Sequence, residues 1–353
     1  MNYLTLKTRN CLAGVALLVS FPALANDAPD TLNQGAVESE LARSSMLSAI
    51  NFAGDRLVAV GVKGHVVLSD DEGESWRQAE HVPVSVTLTG VCFNNARDGW
   101  AVGHRGAILR TGDGGENWEL QYDGFKAAND VHEALKKTKS DDAFYGEMMV
   151  EDGADKPFLE VRCLGEKQAA VVGAFGFAFT TTDGGGNWEP SVDVFEGTGQ
   201  MHVYGIVPAG KGLVMAGERG ALFETSANMS GFQQLPSPYD GTFFGLMDAG
   251  SGGLVAYGLR GHAYWSGDGG ESWREAELDT NRSLTAGTGL ANGNLLLVDN
   301  SGSGWVSRDN GHSFNPVFGD RSFAVTDLLQ LNNGDVLATG ARGFLRFSSF
   351  QLN

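Results

Sequence analysis

The sequence repeats a Gly-x-x-Gly turn between two short apolar runs seven times. The first position of the turn is held by Gly61, Gly103, Gly173, Gly217, Gly258, Asp299 and Gly340. These copies are 41–44 residues apart, except for a step of 70 residues between the second and third. Each copy holds short runs of apolar residues bounded by Gly, Asn and Asp, which is typical of antiparallel strands joined by tight turns. The period and the strand pattern predict an all-β, seven-bladed β-propeller with four strands in each blade.

Five copies continue into the pattern Ser/Thr-x-Asp-x-Gly-x-x-Trp/Phe, called the Asp-box below, between their third and fourth strands. Its Asp and aromatic positions are Asp71 and Trp76, Asp113 and Trp118, Asp183 and Trp188, Asp268 and Trp273, and Asp309 and Phe314. A short carboxylate can accept N–H groups of its own turn, and the aromatic ring can be buried beneath the hairpin. One acid per blade on separate outer turns cannot converge on one ligand. We therefore interpret the Asp-boxes as structural and expect no metal site.

The first 25 residues have the pattern of a secretory signal peptide. Lys7 and Arg9 precede an apolar run that ends in Ala23-Leu24-Ala25, and this pattern predicts cleavage after Ala25. Residues 26–353 then form one propeller domain, which we expect to be an exported, periplasmic monomer without direct membrane insertion. The formal net charge of −18 becomes −20 when Lys7 and Arg9 are removed. This excess of acid argues against a nucleic-acid partner, because such binding depends on neutralising phosphates.

The seventh copy stops after its third strand, close to Asn353. We expect its fourth strand to come from the segment before the first copy, residues 34–43, so that the N-terminal and C-terminal ends close the ring together. Two cysteines remain in the mature chain, Cys92 and Cys163, in the first strands of adjacent blades. A disulfide is possible in an oxidising compartment. Neighbouring equivalent strands are often farther apart than the ~7 Å Cα separation that a disulfide tolerates, so buried free thiols are the favoured interpretation.

The repeat from Val102 to Trp118 resembles that of the photosystem II stability and assembly factors, a family of propellers with Asp-boxes (also called BNR repeats), and of their bacterial relatives. The likeness covers about residues 44–350, and the run Pro157-Phe158-Leu159 is similar to the bacterial, periplasmic branch. The resemblance implies a non-enzymatic accessory or assembly factor that docks on an integral membrane-protein complex. For relatives in non-photosynthetic bacteria it implies an association with exporters of the resistance–nodulation–division (RND) class. Asp-boxes alone are shared with sialidases, xyloglucan hydrolases and sortilin-type receptors.

Five of the seven Gly-x-x-Gly turns carry a basic residue. These residues are Lys63, Arg105, Arg219, Arg260 and Arg342. Because strands alternate in direction, all turns between second and third strands lie on one face and the Asp-boxes lie on the other. The basic residues could bind carboxylates or an acidic loop of a partner through bidentate contacts. Equally, each could pair with an acid of the neighbouring blade and fasten the ring.

The long step between the second and third copies contains an insert at about residues 123–156. Within it, Ala127 to Thr138 has apolar residues at three- and four-residue spacing, which predicts a helix. Lys136 and Lys137 lie near its end, where cations suit the helix dipole. As a connection from a fourth to a first strand, the insert should emerge on the same face as the basic turns. Loops of this length are usually functional or disordered, and we expect an arm that contacts a partner.

No catalytic pattern accompanies the repeats. The sequence has no Gly-x-Ser-x-Gly elbow, no His-Glu-x-x-His helix and no zinc-type spacing of Cys and His. Acids such as Asp70-Asp71 are neighbours on turns, which does not place them across a substrate. We therefore expect no enzyme activity and no cofactor. The alternatives are a glycoside hydrolase, the less favoured, and a propeller that binds a carbohydrate or small ligand at the channel mouth. For the latter, the candidate stacking residues are Phe175, Phe177, Tyr204, Tyr264 and Trp265.

Overall fold

A computed structural model of the chain describes residues 30–210 and 212–352. The predicted signal peptide, residues 1–25, lies outside the described residues. The described chain is predominantly β and forms seven sheets, which are antiparallel except for one parallel pair in the sixth. The first three sheets contain β1 (Leu47–Ala53), β2 (Arg56–Gly61), β3 (Val66–Ser69) and β4 (Arg77–Gln78); β5 (Leu88–Phe93), β6 (Gly99–Gly103), β7 (Ile108–Thr111) and β8 (Glu119–Tyr122); and β9 (Phe158–Gly165), β10 (Gln168–Gly173), β11 (Ala178–Thr181) and β12 (Glu189–Pro190).

The remaining four sheets repeat this arrangement, with differences in the last two. The fourth and fifth sheets contain β13 (Val203–Ala209), β14 (Gly212–Gly217), β15 (Leu222–Ser226) and β16 (Gln233–Gln234), and β17 (Phe243–Gly250), β18 (Gly253–Gly258), β19 (Ala263–Ser266) and β20 (Arg274–Glu275). The sixth and seventh contain β21 (Glu277–Leu278), β22 (Leu284–Gly289), β23 (Leu295–Asp299), β24 (Gly304–Ser307) and β25 (Ser313–Phe318), and β26 (Val325–Gln330), β27 (Val336–Gly340) and β28 (Gly343–Phe347). In the sixth, β21 pairs in parallel with β25, so this sheet has five strands.

The innermost strand of each sheet, which is its first strand except in the sixth sheet, where it is β22, contacts the innermost strand of the next. The contacts run from β1 through β5, β9, β13, β17 and β22 to β26, and β26 contacts β1. Adjacent sheets share the hydrophobic core: Val58 and Leu68 of the first sheet, for example, belong to one buried cluster with Leu109 of the second. The seven sheets are therefore arranged as in a β-propeller, with their inner strands around a central channel and apolar layers between the sheets.

Each Asp-box closes its own hairpin through side-chain hydrogen bonds. In the fifth sheet, Ser266 Oγ donates to Asp268 Oδ1 at 2.8 Å and accepts from the Gly270 N–H at 2.8 Å. Asp268 Oδ1 also accepts from the Ser272 N–H at 2.9 Å, and Asp268 Oδ2 accepts from the Ser272 hydroxyl at 2.6 Å. These hydrogen bonds from Ser272, with the one from Ser266, lower the pKa of Asp268 to about 2. The carboxylate is thus already used by its own turn, as the sequence predicts.

The aromatic residue of the Asp-box packs below the same turn. Trp118 is buried, and its indole N–H donates to the Gly115 carbonyl at 2.8 Å. Trp76 and Trp273 make the same bond. In the third sheet the buried indole nitrogen of Trp188 has no partner among the described residues. In the first, second and fifth sheets the Asp-box therefore ties an aromatic ring to its own turn at the periphery of the sheet.

The prediction that residues 34–43 complete the seventh blade is wrong. The seventh sheet has three strands, and residues 34–41 are not in a strand of any sheet. The segment instead runs along the first sheet: Ala36 N–H donates to the Val82 carbonyl at 2.9 Å, and Ser39 N–H donates to the Gln78 side chain at 3.0 Å. The single helical turn Ala42–Ser44 leads directly into β1. The bonds of Ala36 and Ser39 are thus made beside β4 and the linker that follows it, and the segment adds no fourth strand to β28.

The seventh and first sheets are instead joined by side chains. At the inner strands, Thr326 Oγ1 donates to the Leu47 carbonyl at 2.7 Å, and Asp327 Oδ2 accepts from the Ile50 N–H at 3.0 Å. Farther out, the rings of Trp76 and Phe344 stack with their centroids 3.9 Å apart. Arg346 adds an ion pair with Glu74 at 3.2 Å and donates to the backbone carbonyl of Glu72. Polar bonds near the channel and an aromatic contact near the rim thus join the two ends of the chain.

Cys92 and Cys163 form a disulfide, contrary to the favoured interpretation of free thiols. Their Cα atoms are 5.8 Å apart, within the range of a disulfide. The estimate from the sequence failed because the inner strands of adjacent sheets approach closely: a Cβ on Gly90 would lie 3.3 Å from the backbone nitrogen of Val161. The disulfide therefore cross-links β5 and β9 where the second and third sheets meet.

Two helices of the described chain lie in the insert and two lie elsewhere. They are α1 (Gly124–Thr138), α2 (Ala143–Asp152), α3 (Val192–Thr198) and α4 (Ser349–Leu352). The first of these confirms the helix predicted at Ala127–Thr138 and begins three residues earlier, where Asp123 accepts from the Lys126 N–H and caps its N-terminus. None of the helices in the described residues is long and apolar enough to span a membrane.

We expect Asp268→Asn to lower the unfolding midpoint at pH 7, because the substituted turn loses its charge-assisted hydrogen bonds. The pKa of the wild-type carboxyl is lowered to about 2 in the folded chain and is about 3.9 when unfolded, so its contribution is present above pH ~4 and is lost as the pH falls towards 2. Denaturant unfolding between pH 7 and pH 3 measures the difference in unfolding free energy between the wild type and the variant. Asp279→Asn, at an exposed acid outside the Asp-boxes, is the control, and a difference that does not shrink with falling pH would contradict the prediction.

We expect Thr326→Val to increase amide hydrogen exchange in β26 and β1, because it removes the bond to the Leu47 carbonyl where no chain connection holds the sheets together. A bond of this kind contributes about 1 kcal/mol. The control is Thr89→Val, since Thr89 Oγ1 makes the equivalent bond to the Phe158 carbonyl at 2.8 Å between the second and third sheets, which are joined by the insert and the disulfide. If amide hydrogen exchange near the substituted residue increases equally in the two variants, the first and last sheets are held together by contacts other than the Thr326 bond.

Candidate partner-binding face

The Gly-x-x-Gly turns share an unusual backbone conformation. In five of them the second variable residue is left-handed, with φ between 55° and 59°. These residues are Lys63, Arg105, Phe175, Arg219 and Arg260. A non-glycine residue in this region costs on the order of 1 kcal/mol or more, so glycine would be the unstrained choice. Large side chains are therefore placed on these turns despite the local strain.

The glycine that ends the turn fixes its position against the neighbouring linker. Gly64 has φ 71°, and a Cβ there would lie 2.1 Å from the Val84 carbonyl oxygen. At Gly220 the corresponding distance to the Tyr239 carbonyl oxygen is 1.7 Å. Because no side chain fits at either position, the backbone of these turns packs tightly. The preceding residue, Lys63 or Arg219, is consequently directed to the exterior, where it is exposed.

The five basic residues differ in their partners. Lys63, Arg219 and Arg260 are exposed, and their side chains form no ion pair or hydrogen bond within the described residues. Arg105 is half-buried, pairs with Asp30 at 3.4 Å and lies over the Phe125 ring at 5.9 Å. Arg342 donates to the Ser322 carbonyl at 2.6 Å. Within the described residues, none of the five pairs with an acid of a neighbouring blade.

The insert begins beside one of these basic turns. A Cβ on Gly106 would lie 2.5 Å from Gly124 Cα, which places the start of α1 against the turn of Arg105. The buried side of α1 consists of Ala127, Ala128, Val131 and Leu135, within one hydrophobic cluster with the second and third sheets. Lys136 and Lys137 remain exposed near its C-terminus, and Lys136 pairs with Glu133 at 3.1 Å. The insert therefore emerges on the face that carries the basic turns.

Apolar side chains are exposed along the insert, and these were missed from the sequence. Phe125, Phe144, Tyr145 and Met148 have between 40% and 64% of their surface accessible. Three of them lie on α2, a helix that the sequence reasoning did not predict. The signal that could have found it is the apolar group at 144, 145, 148 and 149 within an otherwise acidic segment, spaced so that 144 and 148 share one helix face. Exposed apolar side chains grouped in this way are typical of interaction surfaces.

Lys156 joins the end of the insert to the third turn. Its side chain is buried, with its ammonium group 5.2 Å from the centre of the half-exposed Phe175 ring. Burial disfavours the charged form, but hydrogen bonds to Asp152 and Asp155 outweigh that effect and raise the pKa of Lys156. A buried cation held between two acids in this way fixes the end of α2 against the turn of Phe175.

The aromatic residues considered for sugar stacking are mostly not available. Phe177 and Tyr264 are buried, and Trp265 packs on the His312 ring at 3.6 Å between centroids. Phe175 and Tyr204 remain partly exposed. No group of three or more His, Cys, Asp or Glu side chains in the described part of the chain is arranged to hold a metal ion.

No protein-family model and no curated protein matches the chain. Solved structures match its fold. One is described as YCF48 bound to D1 peptide, with a TM-score of 0.65 and 16% identity over 89% of this chain and 96% of that one. A second, YCF48 from Cyanidioschyzon merolae, has a TM-score of 0.65 and 15% identity over 88% and 98%. A third is the extracellular domain of the putative one component system BT4673 from B. thetaiotaomicron.

The third structure has a TM-score of 0.63 and 12% identity over 90% of this chain and 40% of that one. The WD40 β-propeller domain of Doa1 matches to a similar degree, with a TM-score of 0.63 and 11% identity. At these identities the likeness concerns the fold. The chain is thus similar in fold to β-propellers that include YCF48.

Proposed function

We propose that the chain is a non-catalytic accessory or assembly factor of the bacterial periplasm that docks on an integral membrane-protein complex, such as an RND-type exporter. The observation that carries this proposal is the set of three exposed cations, Lys63, Arg219 and Arg260, that stand on strained turns of one face without a partner in the described residues. In a chain of net charge −18, such a surface suits carboxylates or an acidic loop.

The insert extends this surface beside the basic turns. Its exposed Phe144, Tyr145 and Met148 supply apolar area, and Lys136 and Lys137 supply charge. Protein interfaces combine apolar and aromatic anchors with a polar rim. Basic turns and an apolar arm on one face therefore have the composition of a protein-binding surface.

The likeness to solved propellers supports a binding role. YCF48 has been solved with the D1 peptide, which shows that a propeller of this shape binds a protein segment in that case. The disulfide between Cys92 and Cys163 supports export, because such bonds persist in oxidising compartments. A non-catalytic role is supported by the Asp-box acids, whose oxygens are occupied by their own turns.

We expect charge reversal of the three unpaired cations to abolish capture of the partner. The experiment is an affinity pull-down with the mature protein from detergent-solubilised native membranes, comparing wild type with Lys63→Glu/Arg219→Glu/Arg260→Glu. The wild type should retain an integral-membrane complex that the variant loses. A matched reversal on the opposite face, Arg97→Glu/Lys167→Glu/Arg274→Glu, changes the net charge equally and should retain it.

Equal capture by both triple variants would place the contact away from the basic turns. If neither the wild type nor the control captures a membrane protein, the docking proposal is wrong, and a glycan array becomes the test of the carbohydrate-binding alternative, for which Phe175 and Tyr204 are the open aromatic residues.

We also expect Phe144→Ser/Met148→Ser to weaken capture by about tenfold or more, because two exposed apolar anchors are removed from the arm. The control is Val37→Ser/Leu41→Ser, which removes apolar side chains that are at least as exposed, at 65% and 71%, on the N-terminal segment. Circular dichroism checks that both variants fold. Unchanged capture by the arm variant would show that the insert does not contribute to docking.

A further inference from the structure

The central channel contains an exception to the repeat. The third residue of every inner strand lies at one level, paired with the residue that precedes the first position of the turn. Five of these residues are small: Ala49, Gly90, Gly205, Gly245 and Ala286. The other two are acids, Glu160 of the third sheet and Asp327 of the seventh. Two carboxylates therefore stand in a ring that elsewhere carries no side chain larger than a methyl group.

The small residues allow neighbouring inner strands to approach each other. A Cβ on Gly205 would lie 2.9 Å from the backbone nitrogen of Leu246 in the next sheet. Asp327 occupies the same position in the seventh sheet, where a side chain fits and forms hydrogen bonds. Its two oxygens accept from the N–H groups of Ile50 at 3.0 Å and Leu328 at 2.8 Å. These two hydrogen bonds explain Asp327 as part of the contact between the last and first sheets. They do not explain why the third sheet has Glu160 at the same level.

Glu160 is paired with a cation that faces the same space. Arg162 Nη2 lies 2.5 Å from Glu160 Oε1, and Arg162 Nε donates to the Ile206 carbonyl at 3.0 Å. The Glu160 side chain keeps 25% of its surface accessible and the Arg162 side chain 38%, and both line the cavity at the centre of the ring. The pair is thus held by protein on one side and open to the cavity on the other.

The cavity has a volume of about 550 Å³, the size of a small-molecule site. Tyr257 contributes to its wall, because its ring occupies the space that side chains at Gly245 and Gly287 would fill. The second residues of the fourth and fifth inner strands, Tyr204 and Phe244, line the cavity one residue closer to the basic face, with ring centroids 6.0 Å apart. The cavity therefore combines two carboxylates, a guanidinium and aromatic walls.

The charges that line this cavity do not balance. Two carboxylates face one guanidinium, which leaves an excess of one negative charge when all are ionised. Burial raises the pKa of Glu160 to about 7, with the negative charge of Asp327 adding to the effect and Arg162 opposing it. Burial likewise raises the pKa of Asp327 to about 6, against the two N–H bonds and Arg162. Burial, with the acids Glu160 and Asp327, also raises the pKa of Tyr257. Within the described lining, a second cation would balance the two carboxylates.

We propose that the central cavity binds a small organic cation, a primary ammonium or guanidinium compound, between Glu160 and Asp327 with Tyr204 and Phe244 beside it. An ammonium supplies three N–H donors and the missing positive charge, and aromatic faces attract such a cation. The acidic chain as a whole favours the approach of cations. The site lies inside the ring and does not depend on the docking surface of the basic face.

The test is isothermal titration calorimetry of the purified mature protein at pH 8 with agmatine and with cadaverine. The neutral 1,5-pentanediol and the anionic glutarate are of similar length and should not bind. Glu160→Gln and Asp327→Asn should each weaken binding of the amines by at least about tenfold, because each removes one carboxylate charge from the site. Glu119→Gln, at an exposed acid of β8, should leave it unchanged.

Lowering the pH from 8 to 5 should also weaken binding by about tenfold or more. Glu160 and Asp327 take up protons over this range, whereas Tyr257 and Tyr204 remain neutral, so protons compete with the ligand. If Asp327→Asn disturbs the contact between the first and last sheets and does not fold, Glu160→Gln and Tyr204→Leu decide the matter. The proposal is wrong if neither amine binds at pH 8, if the diol binds as well as the amines, or if Glu160→Gln binds like the wild type. Since no membrane partner is involved, failure here leaves the docking proposal standing.

Discussion

The arrangement of seven sheets around one channel depends on the contact between its first and last members, where no peptide connects them directly. Every other pair of neighbouring sheets is joined by a linker. Between β26 and β1 the connection consists of the bonds of Thr326 and Asp327, and nearer the rim of Trp76 against Phe344 and the ion pair of Arg346. The inner bonds satisfy backbone groups that would otherwise be buried, and the outer contact supplies apolar area. If this contact opened, the apolar layer shared by the two sheets would be exposed.

The sequence predicted the parts of the fold that are encoded locally. The number of sheets follows from the repeat period, and the Asp-boxes follow from turn chemistry within about ten residues, so residues such as Asp268 and Trp273 could be assigned correctly. The failures concern contacts between segments distant in sequence. The pairing of residues 36–39 with Gln78 and Val82, and the 5.8 Å approach of Cys92 to Cys163, depend on how sheets pack. A repeat pattern carries no information on that packing.

For the candidate surface, the sequence likewise predicts the positions of the residues but not their conformation or contacts. Repeat alignment places Lys63, Arg219 and Arg260 on equivalent turns, and strand direction places those turns on one face. It does not reveal that their backbone is left-handed, that Arg105 is already paired with Asp30, or that α2 exposes Phe144. In the channel, the acids at positions 160 and 327 could be found only by aligning the inner strands residue by residue, since each is an isolated substitution in a position otherwise held by Ala or Gly.

The disulfide has a consequence for how this architecture can change. The insert leaves the second sheet at β8 and returns to the third at β9, while Cys92 and Cys163 cross-link those same two sheets through β5 and β9. The second and third sheets are therefore linked covalently by the disulfide as well as by the insert. Changes in the exposed parts of the insert then leave this cross-link in place, and the cost in loop entropy grows only slowly with length. The molecule thus combines a cross-linked junction between two sheets with one position at which inserted segments of different length can be accommodated.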